Sequence, residues 1–192
     1  MCLLRGVFYS VYLMATTTLK PETDELTTGW TITGTPSTHS ECLDEGIGSA
    51  NDATDNISTG GTDTFKTTLS AIPGSFASAN TADFSLRYLD LIVRTGRAIH
   101  LQIFQSDGVT AITDEESTTL SSASWVTITG SFTISGTNSA AAWTDAQLHM
   151  RTTASGAVTT THVTVVDIEL DYSTSAATAA TKLYHYRRLR EY

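Results

Sequence analysis

Residues 125–134 read Trp-Val-Thr-Ile-Thr-Gly-Ser-Phe-Thr-Ile, and this stretch decides the fold class. Its apolar side chains fall on one phase of a two-residue repeat: Val126, Ile128, Phe132 and Ile134. The threonines and the serine between them fall on the other phase. Strict alternation of this kind is typical of a β-strand with one buried face. The pattern therefore predicts a half-buried strand whose outer face is covered by hydroxyl groups.

Short segments of similar character occur before and after this strand. They cover residues 29–33, 64–69, 84–93, 99–103, 109–112, 148–151 and 160–172. The apolar phase slips within 84–93 and within 160–172, and such a slip is typical of a β-bulge. The turn Thr95-Gly96 predicts a hairpin of the segments on its two sides. Ser139–Asp145 predicts one helical turn anchored by Trp143.

Eight or nine short strands without a long helix predict an all-β fold. The expected architecture is a two-sheet antiparallel β-sandwich of the jelly-roll type, with extended N- and C-terminal arms. The expected boundaries are an N-terminal arm at 1–26, the sandwich at 27–172, and a linker with a basic aromatic tail at 173–192. No repeat of fixed period is visible, which argues against a propeller or a β-helix.

The net charge of −9 is unevenly distributed along the 192 residues. Residues 182–192 contain four basic side chains and one acidic one, so the rest of the chain is strongly acidic. An acidic body repels phosphate backbones, and nucleic acid is therefore not an expected partner of the main domain.

The N-terminal sequence and the cysteines bear on the cellular compartment. No stretch approaches the ~20 apolar residues that a membrane span requires, so no membrane is expected as a partner. Residues 1–15 include a short apolar run, and we expect a retained arm rather than a signal peptide; a gene start placed too early, with Met14 as the true start, is the alternative. Cys2 and Cys42 are expected to remain reduced.

The sequence contains none of the common catalytic motifs. A Gly-x-Ser-x-Gly elbow, a phosphate loop, His-Glu-x-x-His and Cys-x-x-Cys are all absent. Asp167, Glu169 and Asp171 share one strand face. Paired carboxylates could in principle serve glycoside hydrolysis, which needs two acids across a cleft, but a spacing of two residues is also that of an ordinary solvated face. The histidines, His100 and His149 among them, are scattered singly and are expected at the surface. We expect no enzyme, no catalytic residue and no cofactor.

The sequence contains candidate sites for two kinds of ligand, calcium and a glycan. Asn51, Asp52, Asp55 and Asn56 are oxygen donors in one acidic loop, which suits calcium, but an ordinary solvated loop is the preferred interpretation and no metal is expected. Trp125 falls on the outward phase of its strand. An exposed indole is a platform on which a glycan can bind, so Trp125 is a possible glycan-binding residue, although packing is the preferred interpretation.

The two ends of the chain are the predicted partner-binding segments. The N-terminal arm is apolar on both faces, and such a strand is protected when it pairs with a neighbouring sheet edge. The C-terminal segment mixes tyrosine and arginine, which are enriched at protein interfaces; a flexible tail and nucleic-acid binding are the alternatives for it. The predicted partner-binding residues are Val7, Phe8, Tyr9, Tyr12, Tyr184, Tyr186, Arg187, Arg188, Arg190 and Tyr192.

The order of several landmarks resembles a known group of proteins. These landmarks are Gly29-Trp30, Asp44-Glu45, Asn51-Asp52, the predicted hairpin at 91–103, and the segments 125–132, 142–148 and 165–172. Their order resembles small sandwich proteins encoded among the virion genes of tailed bacteriophages, including marine and cyanobacterial ones. The resemblance covers roughly residues 27–172 and neither arm. It implies a β-sandwich that serves as a capsid decoration (cement) protein or as part of a tail.

Together with the two arms, the resemblance favours a capsid-associated cement protein that stabilises the shell through protein contacts. The expected partners are the major capsid protein or other virion proteins, and a homo-oligomer, with a trimer favoured, is expected. The expected location is the virion, assembled in the host cytoplasm. The alternative is a carbohydrate-binding module, either in a tail or adsorption structure or secreted.

Overall fold

The computed structural model describes residues 13–58, 62–91, 96–153 and 160–175. Their regular elements are β1 (Met14–Leu19), β2 (Pro21–Thr28), β3 (Trp30–Thr33), β4 (Asp55–Ser58), β5 (Thr64–Leu69), β6 (Phe76–Asp90), β7 (Ala98–Phe104), β8 (Glu116–Thr119), β9 (Val126–Phe132), α1 (Ala140–Trp143), β10 (Gln147–Thr153) and β11 (Thr161–Thr174). Two short 3-10 turns lie at Ser40–Cys42 and Ile47–Ser49.

The strands form two antiparallel sheets. Sheet 1 has the order β3-β4-β11-β6-β9, and β1 also pairs with β11. Sheet 2 has the order β2-β5-β10-β7-β8. The all-β class and the antiparallel jelly-roll sandwich that the sequence predicted are confirmed. Among the described residues, no helix is long and apolar enough to cross a membrane.

The core lies between the two sheets and is filled by side chains that alternate inward along the strands. Its largest fully buried apolar members are Trp143, Tyr88, Phe65, Leu19, Leu43 and Leu86. The stretch that decided the fold class points the expected way, with Phe132 buried and Val126 and Ile128 partly buried. Burial is partial there because β9 is an edge strand of sheet 1.

One of the two predicted bulges is confirmed. The β11–β6 pairing shifts register between Val163 and Val165, where the sequence pattern of β11 slips. The bulge predicted within residues 84–93 is wrong for the part that lies in β6. The side chains there alternate regularly between buried and outward positions from Phe84 to Asp90, and Leu89 lies on the outer face. An apolar residue on the outer face made the alternation seem to change phase.

The predicted hairpin at Thr95-Gly96 is wrong. β6 belongs to sheet 1 and β7 to sheet 2, so the connection crosses from one sheet to the other. The residues predicted as a strand at 109–112 form no named strand and make one isolated bridge, between Ala111 and Phe104. Alternation in two consecutive strands is equally compatible with pairing to each other and with pairing to different sheets.

The sandwich begins earlier than the boundary at residue 27 that the sequence suggested. β1 and β2 lie within residues assigned to the N-terminal arm, and β1 pairs with β11 from Met14 opposite Ser173 to Leu19 opposite Ile168. Leu19 is fully buried. The polar character of this segment hid its role, because Leu19 and the small side chain of Ala15 are the apolar groups that β1 packs into or against the core.

Candidate functional site

The structure describes one of the predicted site residues. The partner-binding residues of both arms, at 7–12 and 184–192, lie outside the described residues. Trp125 lies directly before β9 and is half-buried. The position of Trp125 can therefore be compared with its predicted role, whereas the arm residues remain predictions.

Trp125 stands among charged groups on the outer face of sheet 1. The Arg87 guanidinium carbon lies 5.6 Å from the centre of the indole ring, over the ring. Two hydrogen bonds of 2.7 and 2.6 Å hold Arg87 on Asp52. The ring of His162 meets the indole edge-on at 6.3 Å. A sugar ring would stack on a face of the indole, and Arg87 already covers one of its two faces.

The acidic loop uses its oxygen donors for protein contacts. Asp52 binds Arg87, the Asp55 carboxylate lies 2.6 Å from Nδ1 of His162, and the Asn56 side-chain oxygen lies 2.7 Å from Nδ1 of His39. The backbone N–H of Asn51 donates a hydrogen bond to the carboxylate of Glu45. In the part of the chain that the structure describes, no three His, Cys, Asp or Glu side chains form a group that could hold a metal ion.

A groove of about 530 Å³ crosses the outer face of sheet 1. Asp83, Asp167 and Glu169 are its acidic side chains, and Glu169 is directly opposite Asp83 in the β11–β6 pairing. Burial raises the pKa of Asp167. However, its Oδ2 accepts a hydrogen bond from the Ile47 amide and its Oδ1 is buried. A general acid has to reach the leaving group of its substrate, whereas one oxygen of Asp167 is buried and the other is already hydrogen-bonded.

The outer face of sheet 2 carries a smaller cavity of about 200 Å³, which we term the His149 pocket. Its lining residues are Thr64, His100, Gln102, Phe104, Glu115, His149 and Arg151. All except Glu115 lie on β5, β7 or β10, whose alternate residues face outward. The pocket is thus built on the rigid centre of a sheet.

Strand register brings the lining residues together. β10 lies between β5 and β7, so that Arg151 is opposite Thr64 on one side and His100 on the other. In the same way, His149 is opposite Lys66 and Gln102. Side chains that are directly opposite in neighbouring antiparallel strands lie about 5 Å apart at their Cβ atoms. Two rows of polar groups therefore cross the three strands side by side.

An aromatic pair forms one wall of the pocket. The rings of Phe104 and His149 are stacked, with centroids 4.1 Å apart and planes inclined by 24°. Burial lowers the pKa of His149 to about 4, and the nearby positive charge of Lys66 adds to this effect. His149 is therefore neutral at pH 7 and serves as a flat, uncharged ring.

The opposite wall is an ion pair. Arg151 donates two hydrogen bonds to Glu115, of 3.0 Å from Nε and 2.7 Å from Nη2. The hydrogen bonds from Arg151 are the main reason that the pKa of Glu115 is lowered. His100 lies 3.0 Å from Glu115 through Nδ1 and 3.0 Å from Thr153 through Nε2. These contacts fix each polar group before a ligand arrives, which is a general property of binding sites.

The amide of Gln102 is also held in place. Its nitrogen donates a hydrogen bond of 2.9 Å to the backbone carbonyl of Thr113. That contact uses one of the amide hydrogens and leaves the side-chain oxygen as an acceptor. The pocket thus combines a flat apolar ring pair with fixed donors and acceptors.

Sequence reasoning treated His100 and His149 as ordinary surface residues. Both face outward, as predicted, but they face the same cavity. A signal was present, since Gln102 and Phe104 share the outward phase with His100, and Arg151 shares it with His149. The pairing of β7 with β10, which brings the two sets together, could not be deduced from alternation.

Comparisons with known proteins give likenesses in structure alone. Neither a protein-family model nor a curated protein matches the chain. An arabinose-bound GH51 α-L-arabinofuranosidase matches with a TM-score of 0.45 and 12% identity, over 77% of this chain and 25% of that chain. A carbohydrate-binding module of Cellvibrio mixtus lichenase 5A, in complex with cellotriose, matches with a TM-score of 0.45 and 13% identity, over 83% and 98%.

A tailspike protein of bacteriophage CBA120 matches with a TM-score of 0.42 and 10% identity, over 83% of this chain and 19% of that chain. This chain thus spans about a quarter or less of the arabinofuranosidase and of the tailspike. At such TM-scores and identities the likenesses carry no argument about family, ligand or activity. The strand pairing by itself defines the two-sheet sandwich.

Proposed function

We propose that this protein is a non-catalytic carbohydrate-binding module that holds a glycan in the His149 pocket. The observation that carries the proposal is the stacked pair of Phe104 and His149 beside the fixed polar groups of Arg151 and Glu115. Of the two functions considered from the sequence, this is the alternative one. The site differs from the predicted residue Trp125, which lies on the other sheet.

The chemistry of the pocket suits a sugar ring. A pyranose has an apolar C–H face that can pack on a flat ring, and hydroxyl groups around its edge that both donate and accept hydrogen bonds. Phe104 and His149 supply the flat wall, Arg151 supplies donors, and Glu115 and Gln102 supply acceptors. Binding pockets in general combine an apolar surface with a few placed polar groups.

Two features support a role in binding rather than catalysis. The carboxylate of Glu115 is ionised and held by Arg151, so it is not poised to donate a proton at pH 7. Asp167, whose pKa is raised, lies on the opposite sheet, where one of its oxygens is buried and the other accepts a hydrogen bond from the Ile47 amide. Acid catalysis of glycoside hydrolysis uses two carboxyl groups on either side of one substrate.

The function as a capsid cement protein, with capsid partners, a trimeric state and a virion location, remains a prediction. It rests on the resemblance over residues 27–172 and on the arms predicted at 1–26 and 173–192, of which residues 1–12 and 176–192 lie outside the described residues. No contact within the described sandwich favours it over the glycan-binding module.

The proposal is tested by glycan-array screening, followed by calorimetric titration of the best ligand. The variants His149→Ala and Phe104→Ala are expected to weaken binding by tenfold or more, because each removes one ring of the stacked pair; tenfold corresponds to about 1.4 kcal/mol. Trp125→Ala is the control on the opposite sheet and is expected to bind as the wild type does. Thermal unfolding of each variant checks that it is folded.

Two outcomes would contradict the proposal. The first is a wild-type protein that binds no glycan. The second is a loss of binding in Trp125→Ala with none in His149→Ala, which would place the ligand beside Trp125 on sheet 1.

A further inference from the structure

The arginine and the carboxylate that line the His149 pocket neutralise each other. They are Arg151 and Glu115, which form a two-fold hydrogen-bonded pair. The side chains of both are 37% exposed, so a ligand can touch each of them. The pair therefore offers donors and an acceptor side by side, with no net charge.

Lys66 of β5 is a cation beside the pocket. It is directly opposite His149 in the strand pairing but does not line the cavity. The neutral ring of His149 adds no charge at pH 7. The whole chain carries a net charge of −9, which disfavours the approach of anionic ligands over longer distances.

Resting on the proposed function, we infer that the His149 pocket is selective for neutral glycans and that the Arg151–Glu115 pair determines this selectivity. A neutral diol can accept a hydrogen bond from the outer N–H groups of Arg151 and donate one to Glu115. A uronic acid or a sulfated sugar would need a cation that is free to pair with it. The two donors of Arg151 that best match a carboxylate are already used by Glu115.

One isosteric substitution in the Arg151–Glu115 pair is expected to change the preference of the pocket from neutral to anionic glycans. Glu115→Gln keeps the shape of the side chain and removes the negative charge that neutralises Arg151. The pocket then holds a guanidinium that has lost its carboxylate partner. An unpaired guanidinium is a strong site for a carboxylate, so the variant is expected to gain affinity for anionic glycans.

The experiment measures two ligand classes against three proteins. The ligands are a panel of neutral gluco-, xylo-, manno- and galacto-oligosaccharides, and polygalacturonic acid as the anionic probe. The proteins are the wild type, Glu115→Gln and the matched control Glu116→Gln. Glu116 is the next residue along the chain, lies on β8 and does not line the pocket, so its substitution makes the same change in net charge elsewhere.

The wild type and Glu116→Gln are expected to bind a neutral oligosaccharide and to ignore polygalacturonic acid. Glu115→Gln is expected to lose about tenfold in affinity for the neutral ligand, the usual value of one hydrogen bond to a charged group. It should bind polygalacturonic acid, and this binding should weaken as salt is added because exposed charges are screened.

The outcomes separate this inference from the proposed function. A wild type that prefers polygalacturonic acid would overturn the selectivity and leave the glycan-binding function standing. The same follows if Glu115→Gln keeps the wild-type preference, since the pair would then not determine it. A wild type that binds neither ligand class would refute the proposed function and the selectivity together.

Discussion

His149 shows how a single residue acquires a role that its type does not announce. An exposed histidine carries a partial positive charge near neutral pH, because its pKa is about 6.5. Burial beside Phe104 and the neighbouring charge of Lys66 lower the pKa of His149 to about 4. The side chain consequently behaves as an aromatic ring rather than as a cation in the pH range of most cells.

The lowered pKa predicts a dependence of stability on pH. The unfolded chain binds a proton at His149 near pH 6.5, whereas the folded chain binds it only near pH 4. The contribution of His149 to stability is therefore complete above pH 6.5 and declines as the pH falls towards 4, because the unfolded state takes up the proton first.

Urea unfolding at pH 7 and at pH 4.5 measures this dependence. The variant His149→Gln lacks the titrating group, so it is expected to lose less stability between the two pH values than the wild type does. Equal losses in the two proteins would mean that the pKa of His149 is not lowered. The carboxyl groups titrate in both proteins, and their effect cancels in the comparison.

β9 shows how an edge strand of a sandwich is fitted to its neighbour. Gly130 is directly opposite Phe84 in the β6–β9 pairing, and the ring of Phe84 lies over it. A Cβ atom at position 130 would lie 2.5 Å from Cζ of Phe84. A glycine in a strand interior often marks such a close approach, and the aromatic ring covers the backbone that the missing side chain leaves exposed.

The close approach predicts the effect of one added methyl group. Gly130→Ala is expected to destabilise the protein by about 1–3 kcal/mol, because the buried ring of Phe84 has to move in a packed core. Gly48→Ala is the control, since a Cβ atom there has no atom within 4 Å. Its effect on the free energy of unfolding is expected to stay within about 0.5 kcal/mol. Urea unfolding compares the two, and equal values would show that the ring yields without cost.

At the scale of the whole molecule, the two sheets are joined by a buried ion pair. Asp90 ends β6 in sheet 1, and Arg97 directly precedes β7 in sheet 2. Their side chains are 2.7 Å apart and almost completely buried. The pair thus links the end of one strand to the start of the next across the two sheets, between the two strands that the sequence predicted as a hairpin.

Breaking this pair is predicted to cost far more than breaking an exposed one. Asp90→Asn leaves the buried guanidinium of Arg97 uncompensated, at an expected cost of about 3–5 kcal/mol. Asp52→Asn breaks the pair with Arg87, whose side chains are 22% and 37% exposed, and should cost no more than about 1 kcal/mol. Chemical denaturation of the two variants measures the difference, and similar costs would show that the Asp90–Arg97 pair is not a structural link.

The sequence determined where most strands lie and which way their side chains point. Alternation placed β3, β5, β9, β10 and β11 close to their observed positions, because each strand has one face in the core. It failed at β1 and β2, where few apolar side chains mark the buried face. It also placed His100, His149 and Arg151 on the outer surface, without relating them to one another.

Tertiary structure alone decided which strands are neighbours and hence where a site exists. A two-residue repeat records burial and is silent about the partner strand, so β6 and β7 seemed to be a hairpin although they belong to different sheets. Arg151 and Glu115 are 36 residues apart and meet only because β10 pairs with β7. The burial that lowers the pKa of His149 arises from the same packing. Long-range pairing depends on the fit of whole faces, which no local pattern of residues encodes.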